Sequence, residues 1–310
     1  MEKEKIFRGI KGPRAIIGYF LKRNALHWSN DQKYLAMRWW AEMGYCMDWN
    51  NPKTYNEKLQ WLKVHDHNPL YTTLVDKIKV KEYISKIIGE EHIIPTIGVW
   101  DNANDIDFEK LPKSFVLKCN HNSGGGMCIC KDKSKIDQEK IRDGLARSLK
   151  SNYYIVSREW PYKDVPPRIL AEKFMSNGDG KALNDYKVMC FDGVVKLIEL
   201  HQNRFTSKHT QDFYDREWRK TTITQGSSFF DSSEKETPRP ECFDQMIEYS
   251  EMLTKGMPHC RVDWYVINGT LYFGEMTFYD GSGFEKFDSE EDDALIGSWI
   301  NLQLAYDQQY

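Results

Sequence analysis

Residues 115–130 read FVLKCNHNSGGGMCIC, a pattern that predicts a strand, a glycine-rich loop and a second strand. The three successive glycines leave backbone N–H groups bare of side chains and free to adopt positive φ, which suits a loop that surrounds phosphate oxygens. Lys118 lies on the first strand and could reach the same phosphates. The loop lacks the GxxxxGK(S/T) spacing of a Walker A motif, and a strand follows it instead of a helix. The stretch predicts either a phosphate-binding loop or a flexible hairpin tip.

A second motif occupies residues 261–278, which read RVDWYVINGTLYFGEMTF. An Asn-Gly turn divides it, so Asp263 and Glu275 are expected on paired strands of one hairpin. Period-two alternation places Arg261 on the same face as Asp263. Neighbouring carboxylates that face inward need a positive partner, so the pair predicts Mg²⁺ held together with substrate phosphates. Arg261 could stabilise charge on a transferred phosphoryl group. A solvent-facing, salt-bridged hairpin is the alternative.

Helices are predicted at the front of the chain and at two later places. Up to about Ile88, apolar residues recur at intervals of three and four, and Thr54 with Glu57 forms a capping box at one helix start. Two further helices are expected over residues 137–151 and 241–256.

Strands dominate the remainder, so the predicted fold class is α+β. A second hairpin turn is expected at Asp192-Gly193. The polar stretch 202–240 carries no predicted element, and a loop of that length in a compact domain is usually functional. Strands are expected over residues 93–100, 114–119, 127–130, 168–174, 186–192, 194–201, 260–267 and 271–278.

Composition excludes several classes of protein. The chain has 310 residues, 40% hydrophobic and 29% charged, which excludes disordered, collagen-like and coiled-coil proteins. A net charge of -3 argues against a nucleic-acid partner. The seven cysteines show no disulfide or zinc pattern, and no apolar run approaches the ~18 residues of a membrane span, so a cytoplasmic location is expected. The first forty residues carry nine basic and three acidic side chains, which fits either contact with an anionic membrane surface or a solvated face.

The order of several short motifs resembles the ATP-grasp superfamily. After Lys79 and the loop that follows Lys118 come Glu172-Lys173-Phe174 and Asp185-Tyr186-Lys187, then the Arg261–Thr277 hairpin. The closest likeness is to the TupA-like branch, which is associated with bacterial surface-polysaccharide loci and whose members are often labelled glycosyltransferases. It runs from Asn51-Pro52-Lys53-Thr54-Tyr55 to Gly281-Ser282-Gly283.

This resemblance implies an ATP-grasp fold in which two α+β subdomains clamp ATP after a helical N-terminal region. The implied boundaries are 1–75, 76–174 with the glycine-rich loop, and 175–310 with the metal and acceptor sites. The implied cofactors are ATP and Mg²⁺. The phosphates would be bound by Lys79 and Lys118, and the loop that closes over them would be Ser123, Gly124, Gly125 and Gly126. The adenine hinge would be Glu172, Lys173 and Phe174, with Asp185 also on the nucleotide side. The metal would be held by Asp263, Glu275 and Thr277. Thr277 stands where many family members have asparagine.

The resemblance also implies the reaction. ATP-grasp enzymes commonly convert a carboxylate to an acyl phosphate, which an amine then attacks, with release of ADP and phosphate. Arg261, Lys187 and Arg204 are the catalytic candidates, because positive side chains offset charge on the γ-phosphoryl group. The acid would be a hexuronate in a glycan or an amino acid, and the acceptor a small molecule or a glycan, lipid-linked or free. Residues 202–240 would form the acceptor-side lid, and a charged surface loop is the alternative. The residues that would serve the lid are Arg204, His209, Tyr214, Arg216, Trp218 and Arg219.

Two other activities remain open at this point. The same ATP clamp could phosphorylate a sugar or a lipid-linked precursor directly, which would make the protein a kinase. The glycosyltransferase label would need a metal-binding DxD motif, and Asp105-Ile106-Asp107 has that form. Its polar turn before Phe108 favours helix capping instead.

Overall fold

The front end of the chain is helical, as predicted. The computed structural model describes residues 12–23, 28–123, 126–204, 206–227 and 230–307. Thr54 and Glu57 form the expected capping box, in which each side chain accepts a hydrogen bond from the other residue's backbone N–H. Lys3, Lys5, Arg8 and Lys11 of the basic N-terminal stretch lie outside the described residues. The front-end helices are α1 (Pro13–Lys22), α2 (Asp31–Met43), α3 (Tyr55–His65), α4 (Leu70–Val75) and α5 (Lys79–Ile88).

A four-stranded antiparallel sheet follows, in the order β1-β4-β2-β3. The predicted hairpin around the glycine-rich loop is confirmed, with Phe115 opposite Cys130 and Leu117 opposite Cys128. Its strands are β1 (Thr96–Trp100), β2 (Phe115–Cys119), β3 (Cys128–Cys130) and β4 (Ile169–Lys173), and the helices α6 (Gln138–Leu149) and α7 (Tyr153–Ser157) lie between β3 and β4.

A five-stranded antiparallel sheet in the order β7-β6-β5-β8-β9 forms the larger half. Both predicted hairpin turns are present. Asp192 and Gly193 have φ of 52° and 74°, and Asn268 and Gly269 have φ of 50° and 79°, as a two-residue turn of this kind requires. The strands are β5 (Asp185–Phe191), β6 (Val194–Gln202), β7 (Thr210–Asp215), β8 (His259–Ile267) and β9 (Thr270–Thr277).

The expectation that residues 202–240 hold no regular element is wrong, because β7 lies within them. Gln211 and Asp212 on this strand are polar yet buried, since Gln211 donates to Glu199 across the sheet and Asp212 is paired with Lys220 and Ser232 of the segment that follows. The polar composition that suggested a loop therefore belongs to an edge strand whose polar groups are satisfied internally.

Among the described residues, the two largest hydrophobic clusters form separate cores, and a small third cluster contains Leu21, Tyr34 and Leu35. One lies under the four-stranded sheet and contains Phe115, Leu117 and Leu145. The other contains both front-end residues, such as Trp39 and Leu59, and the buried face of the five-stranded sheet. The front end thus packs on the larger sheet, while the boundaries at 75/76 and 174/175 stay predictions. The remaining helices are α8 (Phe243–Thr254), α9 (Glu290–Ser298) and α10 (Gln303–Asp307).

Candidate active site

A row of charged side chains crosses the five-stranded sheet. Strand pairing sets Glu199 opposite Lys187, Lys187 opposite Asp263, and Asp263 opposite Glu275. Residues directly opposite one another project to the same face of a sheet, so four strands contribute to one polar surface. The predicted pairing of Asp263 with Glu275 on one hairpin is confirmed.

Asp263 is the centre of this surface and is neutralised from two sides. Arg261 donates two hydrogen bonds to it, from Nε to Oδ1 over 2.7 Å and from Nη2 to Oδ2 over 2.9 Å. Lys187 Nζ lies 3.3 Å from Oδ2. Arg261 also pairs with Asp280, which sequence reasoning did not single out, and reaches Thr277 Oγ1 over 3.3 Å. The predicted shared face of Arg261 and Asp263 is confirmed, and Thr277 lies beside them.

Glu275 forms an ion pair with a lysine from the segment that precedes α5. Lys77 Nζ lies 3.5 Å from Glu275 Oε2 and donates a hydrogen bond to the Asn122 carbonyl over 2.9 Å. Burial alone would raise the pKa of Glu275, but Lys77, Arg261 and further nearby cations lower it to about 2. Glu275 is therefore a carboxylate throughout the neutral range.

Lys79 does not join this cluster. Helix α5 begins at Lys79, where Asp76 Oδ1 accepts hydrogen bonds from the backbone N–H groups of Ile78 and Lys79. The Lys79 side chain is exposed. Lys77 precedes the helix and turns towards Glu275 instead. Lys77, which the sequence interpretation passed over, thus lies beside Glu275, and the phosphate-binding role of Lys79 stays a prediction.

Lys118 and Glu172 are brought together on the smaller sheet. Glu172 is buried, and its two carboxylate oxygens contact Lys81 Nζ at 2.5 Å and Lys118 Nζ at 2.6 Å. Despite its burial, these two cations lower the pKa of Glu172. The Glu172 side chain is thus paired with two lysines in the structure, and its role in the adenine hinge stays a prediction.

The other residues of the expected adenine hinge lie at the end of β4. The Lys173 N–H donates to the Pro95 carbonyl over 3.0 Å, and the Lys173 side chain is exposed. Phe174 is half-buried directly after the strand. The adenine-binding role of Lys173 and Phe174 stays a prediction.

The base of the glycine-rich loop is firmly positioned. Gly126 has φ of 68°, and a Cβ there would lie 2.5 Å from the Ser148 Cβ, so only glycine fits. Asn122 donates to Ser148 Oγ over 2.6 Å. Ser123 is exposed, while Gly124 and Gly125 lie outside the described residues. His121 is buried, with Nε2 3.1 Å from the Ser151 carbonyl, which accounts for a structural role.

Arg204 lies beside Asp185, which is two residues before Lys187 on β5. The two form an ion pair, and Asp185 Oδ1 is buried with no hydrogen-bond partner among the described residues. Tyr214 and Trp218, expected as lid contacts, are instead buried and stack on each other with ring centroids 4.3 Å apart. They are core residues, so the aromatic part of the predicted lid is wrong.

The comparison with family models decides the identity of the chain. The model described as TupA-like ATPgrasp matches residues 57–301. The chain belongs to the TupA-like ATP-grasp family. The resemblance noted in the sequence is confirmed, and with it the α+β ATP-grasp fold, since the structure consists of two antiparallel sheets with flanking helices.

Solved structures with a similar fold are ATP-grasp ligases of low sequence identity to this TupA-like protein. D-alanine–D-alanine ligase from Bacillus anthracis complexed with ATP is 16% identical, with a TM-score of 0.43 over 83% of this chain and 72% of that chain. The Helicobacter pylori enzyme is 17% identical, with a TM-score of 0.38 over 74% and 61%. D-cycloserine synthetase DcsG is 11% identical, with a TM-score of 0.38 over 77% and 69%. A comparison with curated proteins found no match.

The residues of the TupA-like site fit Mg²⁺ and a nucleotide. Asp263 and Glu275 offer carboxyl oxygens in direct register, with the Thr277 hydroxyl close by, and hard oxygen donors of this kind suit Mg²⁺. Lys77, Lys118 and Lys187 supply ammonium groups for phosphate oxygens. Across the described ranges, no three His, Cys, Asp or Glu side chains converge as a ready-made metal cluster, so the metal would share its shell with substrate phosphates. Over the same ranges, no helix combines the length and apolarity that a membrane crossing needs.

Proposed function

We propose that this protein is an ATP-dependent carboxylate–amine ligase that forms an amide through an acyl phosphate and releases ADP and phosphate. One observation carries the proposal: the unbroken row Glu199–Lys187–Asp263–Glu275 across four paired strands. The row places Asp263 and Glu275, whose carboxylates suit a metal, at one end and Glu199 at the other. An enzyme that joins two substrates at one phosphoryl group needs both.

The nucleotide would lie between the two sheets. Lys77 and Lys118 would bind its phosphates, Asp263 and Glu275 would hold Mg²⁺, and Thr277 would complete the metal side. Bound Mg²⁺ would neutralise charge on the phosphates and orient them for in-line transfer. The solved structures include a D-alanine–D-alanine ligase complexed with ATP and the ligase PsnB with Mg and ADP, which accords with these ligands.

Arg261 and Lys187 would act on the reacting groups. The substrate carboxylate attacks the γ-phosphorus and ADP departs, and charge grows on the transferred oxygens during this step. Arg261 is buried and held by Asp263 and Asp280, so its guanidinium is oriented before substrate arrives. Such preorganised cations are the main means of catalysis in phosphoryl transfer. Arg204, which pairs with Asp185, would contact the acid substrate.

The substrates proposed are those of bacterial surface-glycan synthesis. The TupA-like branch is associated with surface-polysaccharide loci, and the family match supports that context for this chain. The acid would be a hexuronate, free or within a lipid-linked precursor, and the product an amide on a capsule or cell-surface glycan. A cytoplasmic location, with the basic N-terminal stretch at the inner face of the membrane, belongs to the same proposal.

The test is a product analysis on the purified protein. It would be incubated with Mg-ATP and a panel of hexuronates, amino acids and amines, and ADP, AMP, phosphate and product mass would be followed together. The proposal expects ADP and phosphate in equal amounts and a product lighter by one water than its two substrates. Asp263→Asn should abolish both, because it removes a metal ligand and the partner of Arg261.

Two results would contradict the ligase. ADP without free phosphate, together with a product heavier by a phosphoryl group, would make the protein a kinase. Sugar transfer from a nucleotide sugar without ATP consumption would support the glycosyltransferase label.

A further inference from the structure

Three hydrogen-bonded side chains form a continuous chain beside the phosphoryl-transfer residues. His201 Nε2 lies 2.6 Å from Glu199 Oε1, and His201 Nδ1 lies 2.8 Å from His209 Nε2. Gln211 Nε2 donates to the same Glu199 oxygen over 2.6 Å. Glu199 and His201 are buried, whereas His209 is half-buried, so this series of hydrogen bonds runs from the interior towards the surface.

Nothing in the reaction outlined so far uses this chain, yet it lies close to the reacting groups. Glu199 faces Lys187 on the neighbouring strand and lies two strand spacings, about 10 Å, from the strand that carries Asp263. The other oxygen of Glu199, Oε2, is buried without a hydrogen-bond partner among the described residues. A buried carboxylate with an open oxygen favours a positive charge nearby.

The hydrogen-bond directions follow from the charge on Glu199. Burial alone would raise the pKa of Glu199, but the hydrogen bond from His201 and the charge of Lys187 lower it, so the group is a carboxylate and can only accept. His201 therefore carries a proton on Nε2. Its Nδ1 then accepts from the Nε2–H of a neutral His209, whose pKa is lowered by partial burial, by His201 and by Arg204.

We propose that Glu199, His201 and His209 accept the proton of an amine nucleophile, and hence that the second substrate is a primary amine that arrives as its ammonium ion. The inference rests on the ligase activity proposed above. His209 would be the catalytic residue that touches the amine, while His201 and Glu199 are positioning residues. In the described part of the chain, no residue hydrogen-bonds His209 Nδ1, so this nitrogen can receive the proton.

The step balances without any additional reagent. One N–H bond of the ammonium breaks as its proton passes to His209 Nδ1, and the electron pair stays on nitrogen. His209 passes its Nε2 proton to His201 Nδ1, which leaves an imidazolium beside the Glu199 carboxylate. The amine attacks the acyl carbon, and the C–O bond to phosphate breaks. The departing phosphate takes the second proton from nitrogen.

Other charged groups around the chain set its electrostatic environment. Arg204 acts on His209, and Lys187 and Arg261 act on Glu199 from across the sheet. Glu285 approaches from the segment after β9, and partial desolvation together with the charge of Glu199 raises its pKa. Phe230 covers both imidazoles at ring-centroid distances of 5.8 and 4.8 Å. Two carboxylates and a shielding aromatic ring suit an ammonium group better than a neutral sugar hydroxyl.

The test compares two nucleophiles in the same enzyme. Hydroxylamine is unprotonated at neutral pH and traps an acyl phosphate as a hydroxamate without a base, whereas glycine, glutamate and lysine arrive as ammonium ions. The acid would be whichever of glucuronate, galacturonate and mannuronate gives the most hydroxamate with the wild type. His209→Gln should lower amide formation about a hundredfold or more, yet change hydroxamate formation less than about threefold.

Two further variants separate proton transfer from structure. Glu199→Gln should shift the acid limb of the pH profile for amide formation to lower pH, because the His201 imidazolium loses its anionic partner. A purely structural role would not move that limb. His67→Gln is the matched control, since His67 is an exposed histidine that stacks on Trp160 and should leave both rates unchanged.

Each outcome decides the inference. Equal losses of amide and hydroxamate in His209→Gln, or an unchanged amide rate, would overturn it while leaving the ligase intact. A wild type that forms neither product with any acid would overturn the ligase proposal and this inference together.

Discussion

The buried ion pairs of Glu172 give a sharp prediction. Helix α5, which carries its partner Lys81, also carries an exposed ion pair for comparison. Glu172 is 6% exposed at its side chain, and its lysine partners Lys81 and Lys118 are 14% and 21% exposed. Glu82 and Lys86 on α5 make a contact of similar length, 2.7 Å, but are 78% and 69% exposed. Glu→Gln at each position therefore removes one charge at a similar distance in two different environments.

The expected losses of stability differ strongly between the two variants. Removing one partner of a buried pair leaves the other charge without compensation and costs about 3–5 kcal/mol. The glutamine oxygen can still accept one hydrogen bond, so Glu172→Gln should lower the free energy of unfolding by about 3 kcal/mol, at the lower end of that range. Glu82→Gln should lower it far less, because solvent screens an exposed pair.

The assay is urea unfolding of both variants and the wild type, with thermal melts in parallel. At roughly 2 °C or more per kcal/mol, Glu172→Gln should melt at least about 6 °C lower. Because the pKa of Glu172 is lowered in the folded state, its stabilisation is present above the unfolded value of about 4.5 and is lost as the pH falls below it. Saturating Mg-ATP should narrow the gap, since phosphate would then pair with Lys118. A loss no larger than that of Glu82→Gln would refute the reasoning.

Three further predictions, which use five variants, test other parts of the structure. Lys77→Met should weaken Mg-ATP binding at least about tenfold in calorimetry, whereas Lys79→Met should change it less than about twofold, and equal effects would place Lys79 in the site. Gly297→Ala should lower the free energy of unfolding by about 2 kcal/mol, because a Cβ there would lie 2.5 Å from the Lys53–Tyr55 backbone, whereas Gly144→Ala, in open space on α6, should raise it by about 0.5–1 kcal/mol. Burial raises the pKa of Asp66 to about 6, so between its unfolded value of 3.8 and 6 the folded state binds more protons and stability falls as pH rises. Asp66→Asn should therefore gain about 1–2 kcal/mol at pH 7 and nothing below pH 4, as measured by urea unfolding at both values.

Local patterns accounted for much of the fold. The turn at Asn268-Gly269 set the register of its hairpin as far as Trp264 opposite Phe273, and a one-residue shift between Asp263 and Trp264 then brings Glu275 opposite Asp263. Period-two alternation then placed Arg261 beside Asp263. These relations extend over a few residues or across one tight turn, so the sequence carries them directly.

The rest depended on contacts between distant segments. Strand β7 was missed because Gln211 is satisfied by Glu199 twelve residues away, a pairing that composition does not reveal. Lys77 was missed because the helix was expected to begin at Asp76, whereas it begins at Lys79 and leaves Lys77 free to turn towards Glu275. Asp280 becomes part of the site only through its ion pair with Arg261, nineteen residues away.

Transfer of labelled oxygen tests the central claim most directly. The hexuronate that gives product would be labelled with heavy oxygen in its carboxylate, and the phosphate released with Mg-ATP would be examined by mass spectrometry. An acyl phosphate requires one labelled oxygen to move from the acid to the phosphate as the amide forms. Released phosphate that contains no label, or label that stays entirely in a phosphorylated product, would contradict the ligase mechanism.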